Sequence, residues 1–134
     1  MDEILTYLVK YCSNIYRKYG FRFIDSGVSN SFGNSFIILA NNNLMLRFIS
    51  DRGQLFLDFH SNLDKNKDNW YSIDLVRQLI TGENEYYSLL DENNGRFIKE
   101  NFEQILQIFD KDVINQTIER LNFLRKKRAK KLFG

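Results

Sequence analysis

The sequence predicts an α+β fold in one domain spanning residues 1–134, with an N-terminal helix, a four-stranded antiparallel β-meander and then three or four C-terminal helices. Three observations carry this reading. Apolar residues recur at steps of three and four at the start of the chain. Between Phe21 and His60 that period gives way to short β-branched and aromatic runs cut by turn clusters. After residue 69 the helical period returns, and helices segregated in sequence from a locally connected sheet define the α+β class.

The first helix places Ile4, Leu5, Leu8, Val9, Cys12, Ile15, Tyr16 and Tyr19 on one face, with Asp2 as its cap and Gly20 as its end. Turn clusters at Ser29 to Asn34, Asn41 to Asn43 and Ser50 to Gly53 divide the next segment into four strands. Ser-Asp-Arg-Gly, between LMLRFI and QLFLDFH, predicts a type I turn with Gly53 in the left-handed position, which sets Phe48 opposite Phe56. Ser72 then caps a helix carrying Ile73, Val76, Leu79 and Ile80 that Gly82 stops. A short helix through Tyr86, Tyr87, Leu89 and Leu90 follows. Phe97, Ile98, Phe102, Ile105, Leu106 and Phe109 mark the next helix, and Ile114, Thr117, Ile118, Leu121 and Leu124 the last.

A chain of 134 residues buries roughly two-thirds of the surface its unfolded form exposes. With 43% hydrophobic residues, 12 Phe and 7 Tyr, it has the material for that core. Proline is absent and the seven glycines are scattered, so no linker marks a second domain. The single cysteine, Cys12, has no intramolecular partner, and no basic-then-apolar leader opens the chain, so a cytoplasmic location is expected. No window reaches the ~20 apolar residues a bilayer crossing needs.

Charge is uneven along the chain. Residues 83–112 hold eight acids and three bases, whereas residues 120–134 hold seven bases and no acid. The basic end reads first as a solvated helix whose cations offset the negative end of its dipole. Nucleic-acid binding through Arg125, Lys126, Lys127, Arg128, Lys130 and Lys131 is the alternative, although no aromatic is interleaved with that run. A surface-lying amphipathic helix has only Leu124, Ala129 and Leu132 as its apolar stripe.

No phosphate-cradle, dinucleotide, serine-hydrolase or zinc motif is present, so neither a metal nor a cofactor is expected. Asp58 and His60 fall on one face of the fourth strand, roughly 7 Å apart along it, as a loose acid and base. Arg47 is expected on the opposite face, from the register a bulge at Gly53 would impose. Cys12 lies in an apolar stripe, where a thiol behaves as a small hydrophobe. Asp64, Lys65, Lys67 and Asp68 read as a polar loop.

The surface then offers the clearer signal. The segment SNLDKNKDNWY sets Trp70 and Tyr71 beside Asp64 and Asp68, next to the strand end with Asp58 and His60. Aromatics flanked by charges suit a protein-binding hot spot, although a Trp that staples the loop to the sheet satisfies the same pattern. The hairpin LRFISDRGQLFLDF followed by NWYSIDLVRQLITGE, residues 44–83, resembles the small bacterial immunity proteins that neutralise secreted or contact-dependent toxins. The resemblance implies a non-catalytic protein that occludes a cognate toxin's active site but carries over no residue; the charged and aromatic pattern of the loop and strand end itself marks Asp58, His60, Asp64, Asp68, Trp70 and Tyr71 as the candidate contacts. Many immunity proteins against nucleases are strongly acidic, whereas this chain has a net charge of +2. A nucleic-acid-binding module and an enzyme of unrecognised type around Asp58 and His60 are the other two readings.

Overall fold

The computed structural model describes residues 1–29, 33–83 and 87–133. The first helical stretch divides into α1 (Asp2–Tyr11) and α2 (Ser13–Arg17), because Cys12 leaves helical geometry at φ −123° and ψ 14°. Met1 rather than Asp2 stands at the N-cap, and Asp2 and Glu3 lie in the first turn, where negative charge opposes the helix dipole. Ile4, Leu8, Cys12 and Ile15 are buried as their spacing predicts.

Strands β1 (Arg22–Val28), β2 (Ser35–Ala40), β3 (Leu44–Asp51) and β4 (Gln54–Ser61) form the meander, and a fifth strand, β5 (Tyr71–Ser72), adds antiparallel to β4. The sheet runs in the order β1-β2-β3-β4-β5. The expectation of four strands missed β5 because two residues are too few to display a period of two. In the first turn, residues 30–32 lie outside the described residues; the Ser29 N–H donates to the Asn34 carbonyl at 2.7 Å. In the second, Asn41 Oδ1 accepts from the N–H groups of Asn43 and Leu44 at 2.9 and 2.8 Å, an Asx turn that the asparagine run foretells.

The third turn corrects the predicted register. Arg52 (φ 52°) and Gly53 (φ 81°) are both left-handed, and Asp51 pairs directly with Gln54. That is a two-residue turn of the I′ kind, whose twist matches a right-handed hairpin. Phe48 therefore faces Leu57, and Phe56 faces Ile49 on the other side of the sheet. Arg47 stands directly opposite Asp58, on the same face rather than the opposite one. A slip of one residue moves every side chain to the other face.

Ile37, Leu39, Leu44, Leu46, Phe48, Leu57 and Phe59 all point to the helix-covered face. After β5 the chain enters α3 (Ile73–Thr81), which ends at a left-handed Gly82 as expected. Two C-terminal helices, α4 (Glu92–Ile108) and α5 (Ile114–Phe133), complete the fold. The short helix expected near residue 87 does not form at residues 87–90, and Tyr86 lies outside the described residues. Instead the Leu90 N–H donates to the Leu55 carbonyl at 2.7 Å, and Asn94 Nδ2 donates to the Leu89 carbonyl at 2.8 Å. Tertiary hydrogen bonds take the groups that a local helix would have used. Gly95 lets α4 approach α1: a Cβ there would sit 2.6 Å from the Tyr11 ring. One hydrophobic cluster runs from Ile4 to Leu121, with Phe59 stacked on Phe109 at 5.9 Å between ring centroids.

Asp91 caps α4, its side chain accepting from the Asn94 N–H at 3.0 Å. Partial burial pushes its pKa up, but the hydrogen bonds from Asn94 N–H and the Tyr87 hydroxyl outweigh this and hold it below the usual value.

Two outcomes test this fold. Phe48→Ala should cost about 3–5 kcal/mol and Phe56→Ala about 1 kcal/mol in chemical denaturation, the asymmetry the I′ register requires. Asp91→Ala should cost about 1 kcal/mol at neutral pH. Because folding lowers the Asp91 pKa, that contribution is complete above the ordinary carboxylate range and is lost as pH falls through and below it. The stability gap between parent and variant should therefore narrow progressively as pH falls below the ordinary carboxylate range.

Candidate functional site

The loop between β4 and β5 is tied inward by its own polar residues and by α5. Tyr71 is 1% exposed, and its hydroxyl accepts from Asn69 Nδ2 at 2.6 Å and donates to Asn122 Oδ1 at 3.0 Å. Burial raises its pKa. Tyr71 is thus a core residue and presents nothing to a partner. Asp64 Oδ2 accepts from Asn69 Nδ2 at 2.7 Å, while the Asp68 side chain is exposed. Trp70 is half-buried, with the Arg47 guanidinium 4.1 Å from its ring centroid and the His60 ring at 5.2 Å. Its faces are occupied by the protein itself, which matches the stapling alternative.

Asp58 and His60 share a face as predicted, but no hydrogen bond joins them among the described residues. Asp58 Oδ2 accepts from Arg47 Nη2 at 3.0 Å. His60 is buried and its Nδ1–H donates to the Asn69 carbonyl at 2.9 Å. Each polar group is committed elsewhere. The Cys12 thiol is buried, and desolvation pushes its pKa up to about 12, which leaves it a poor nucleophile at neutral pH. Among the described residues, no group of three or more His, Cys, Asp and Glu side chains is arranged to hold a metal ion, and no helix is long and apolar enough to cross a membrane.

The basic end of the chain is split by function. Arg125 donates to Asn69 Oδ1 at 2.9 Å, Asn122 Oδ1 at 2.7 Å and the Trp70 carbonyl at 3.3 Å, with its guanidinium 4.7 Å from the Tyr71 ring. Arg128 Nη1 lies 2.8 Å from both the buried Asp74 Oδ2 and Ser72 Oγ. Ser72 stands at the N-cap of α3, yet its hydroxyl donates to Asp74 rather than closing the helix end. Two of the arginines counted as phosphate ligands are therefore bolts between α5 and the β5–α3 junction.

The most open surface lies at the other edge of the sheet. β1 has one neighbour, so its outer row of backbone groups meets no strand. Phe23 (54% exposed), Ile24 (52%) and Val28 (65%) lie along it, and Leu5 and Val9 expose an apolar flank of α1 beside it. Between strand and helix runs a groove of about 570 Å³ lined by Met1, Leu5, Phe23, Ile24 and Ile37, with Asp25 and Ser26 as its polar members. Five large apolar side chains, Leu5, Val9, Phe23, Ile24 and Val28, are thus exposed on this strand and helix. A register shift between Phe23 and Asp25 bends the strand, and Asp25 Oδ1 accepts from the Ser26 N–H at 2.8 Å. The sequence does not mark this site: β-branched and aromatic runs between turn clusters outline β1, and spacing and end signals outline α1, but which strand ends a sheet is a matter of topology. No family model, curated protein or solved structure matches the chain.

The polar bolt makes a direct prediction. Asp74→Ala leaves Ser72 Oγ and Arg128 without their shared acceptor and should cost about 2–3 kcal/mol in urea denaturation, whereas Asp68→Ala, at an exposed position, should stay within about 0.5 kcal/mol.

Proposed function

We propose that the chain is a non-catalytic protein-binding module, an immunity-type inhibitor that docks a cognate toxin domain along the free edge of its sheet. The observation that carries this reading is the coincidence of a seven-residue edge strand, paired on one side only, with a flanking, mostly apolar groove. An extended segment of a partner adds to such an edge as a further strand: main-chain hydrogen bonds supply affinity, and alternate side chains enter the groove. The interface would have an apolar centre at Phe23, Ile24 and Leu5, with Arg22 and Asp25 at its polar rim, the usual anatomy of a docking surface. The resemblance of residues 44–83 to immunity proteins supports the class of partner. Access to the edge needs no rearrangement of the core, because the buried loop around Tyr71 lies on the far side of the sheet order.

The test is a search of the neighbouring genes for a toxin domain and co-expression with any that is found, followed by calorimetry on the purified pair. The parent should rescue growth. Ile24→Lys, which puts a charge in the groove, and Ser26→Pro, which removes an edge donor, should each weaken binding at least about tenfold while circular dichroism stays native. Asp68→Ala should bind as the parent does. If the edge variants bind normally and Asp68→Ala or Trp70→Ala does not, the interface is the β4–β5 loop; if no variant and no toxin domain shows binding, the inhibitor reading fails.

A further inference from the structure

Helix α5 has two faces of different chemistry. Successive residues in an α-helix are about 100° apart, so Ile114, Thr117, Leu121, Leu124, Arg125 and Arg128 fall on one side. That side packs on the protein. Arg120, Phe123, Lys126, Lys127 and Lys130 fall within about a third of the circumference on the other side, with Phe123 at the middle of the arc. All five are exposed, Phe123 by 66%. Among the described residues none of the four cations is ion-paired, and the acid closest to them on this face is Glu119 at its N-terminal end. The run of bases thus has its aromatic, one turn ahead of the cations that surround it.

We propose that this face of α5 binds single-stranded nucleic acid, with Phe123 stacking on an unpaired base and Arg120, Lys126, Lys127 and Lys130 meeting the flanking phosphates. The positive charge left over once Arg125 and Arg128 are used internally calls for a polyanion. An exposed aromatic among those cations adds a second requirement, an accessible flat ring, and unpaired bases supply one next to every phosphate. A duplex hides its base faces. An anionic membrane fits less well, because the apolar side of α5 that would enter the lipid is already packed on the core.

Fluorescence anisotropy of the full chain with a labelled oligonucleotide of about a dozen nucleotides, at salt from about 20 to 200 mM, tests this. Binding should be detectable at the lowest salt and weaken with a log–log slope of about −3, the value for four phosphates on a single strand. Phe123→Ala should weaken binding about tenfold and leave the slope unchanged. Lys126→Gln and Lys130→Gln should each flatten the slope by about 0.7. All three positions are exposed, so the variants should keep the parent's denaturation midpoint. No binding at the lowest salt overturns the proposal. So does equal affinity of Phe123→Ala, and so does Phe123-dependent binding to phosphatidylserine vesicles without binding to the oligonucleotide.

Discussion

The two-residue turn at Arg52 and Gly53 is the constraint on which the rest of the sheet depends. Both residues must be left-handed for the β3–β4 ladder to start at Asp51 and Gln54, and that pairing sends Phe48, Leu57 and Phe59 to the helices. A bulged turn one residue longer would flip β4 against β3, sending Asp58 to the helix-covered face beside Phe48 and turning Leu57 and Phe59 outward. The carboxylate would then need a partner inside the core, where an unsatisfied group costs more than a hydrogen bond normally contributes. Hydrophobic alternation and turn geometry agree only in the observed register.

The same register decides what the polar residues do. With Arg47 opposite Asp58, the guanidinium sits over the Trp70 ring, and Trp70 packs beside His60. The β4–β5 loop is pinned in turn by Asn69, which bonds to Asp64, Tyr71 and Arg125. A short β5 then needs a clamp on its outer side, because two residues of ladder cannot hold an edge. Arg125 and Arg128 provide it from α5, one above the Tyr71 ring and the other on Asp74. The acidic and aromatic cluster that looked like a binding loop is the mortar between sheet and C-terminal helix.

Opposite edges of the sheet consequently differ in kind. β5 is short and covered, whereas β1 is seven residues long, apolar and open. Its bulge and the bond from Ser26 N–H to Asp25 temper the edge without closing it, two of the devices by which edge strands are blunted. Phe36 lies over Gly27 so closely that a Cβ there would meet its ring at 2.5 Å, so the missing side chain makes room for that ring. The outer face of α5 stands apart from that edge in chemistry, basic where β1 is apolar.

Periodicity was legible along most of the chain: α1, α3, α4 and α5, four of the strands and the left-handed glycines at positions 53 and 82 follow from spacing and turn residues, which act over a few neighbours. The fifth strand, the break at Cys12 and the extended path at residues 87–90 were not legible, because long-range partners outweigh local preference there. The candidate site divides in the same way. Composition showed which residue types were concentrated near 58–71 and 120–131, but whether a charged or aromatic side chain faces inward depends on what stands across from it. Arg125 and Phe123 are two positions apart in sequence and lie on opposite sides of one helix; only the packed structure places the arginine on Tyr71 and leaves the phenylalanine in water. Strand order, likewise, made β1 the open edge, and order is set by the pairing of whole strands rather than by any residue within them.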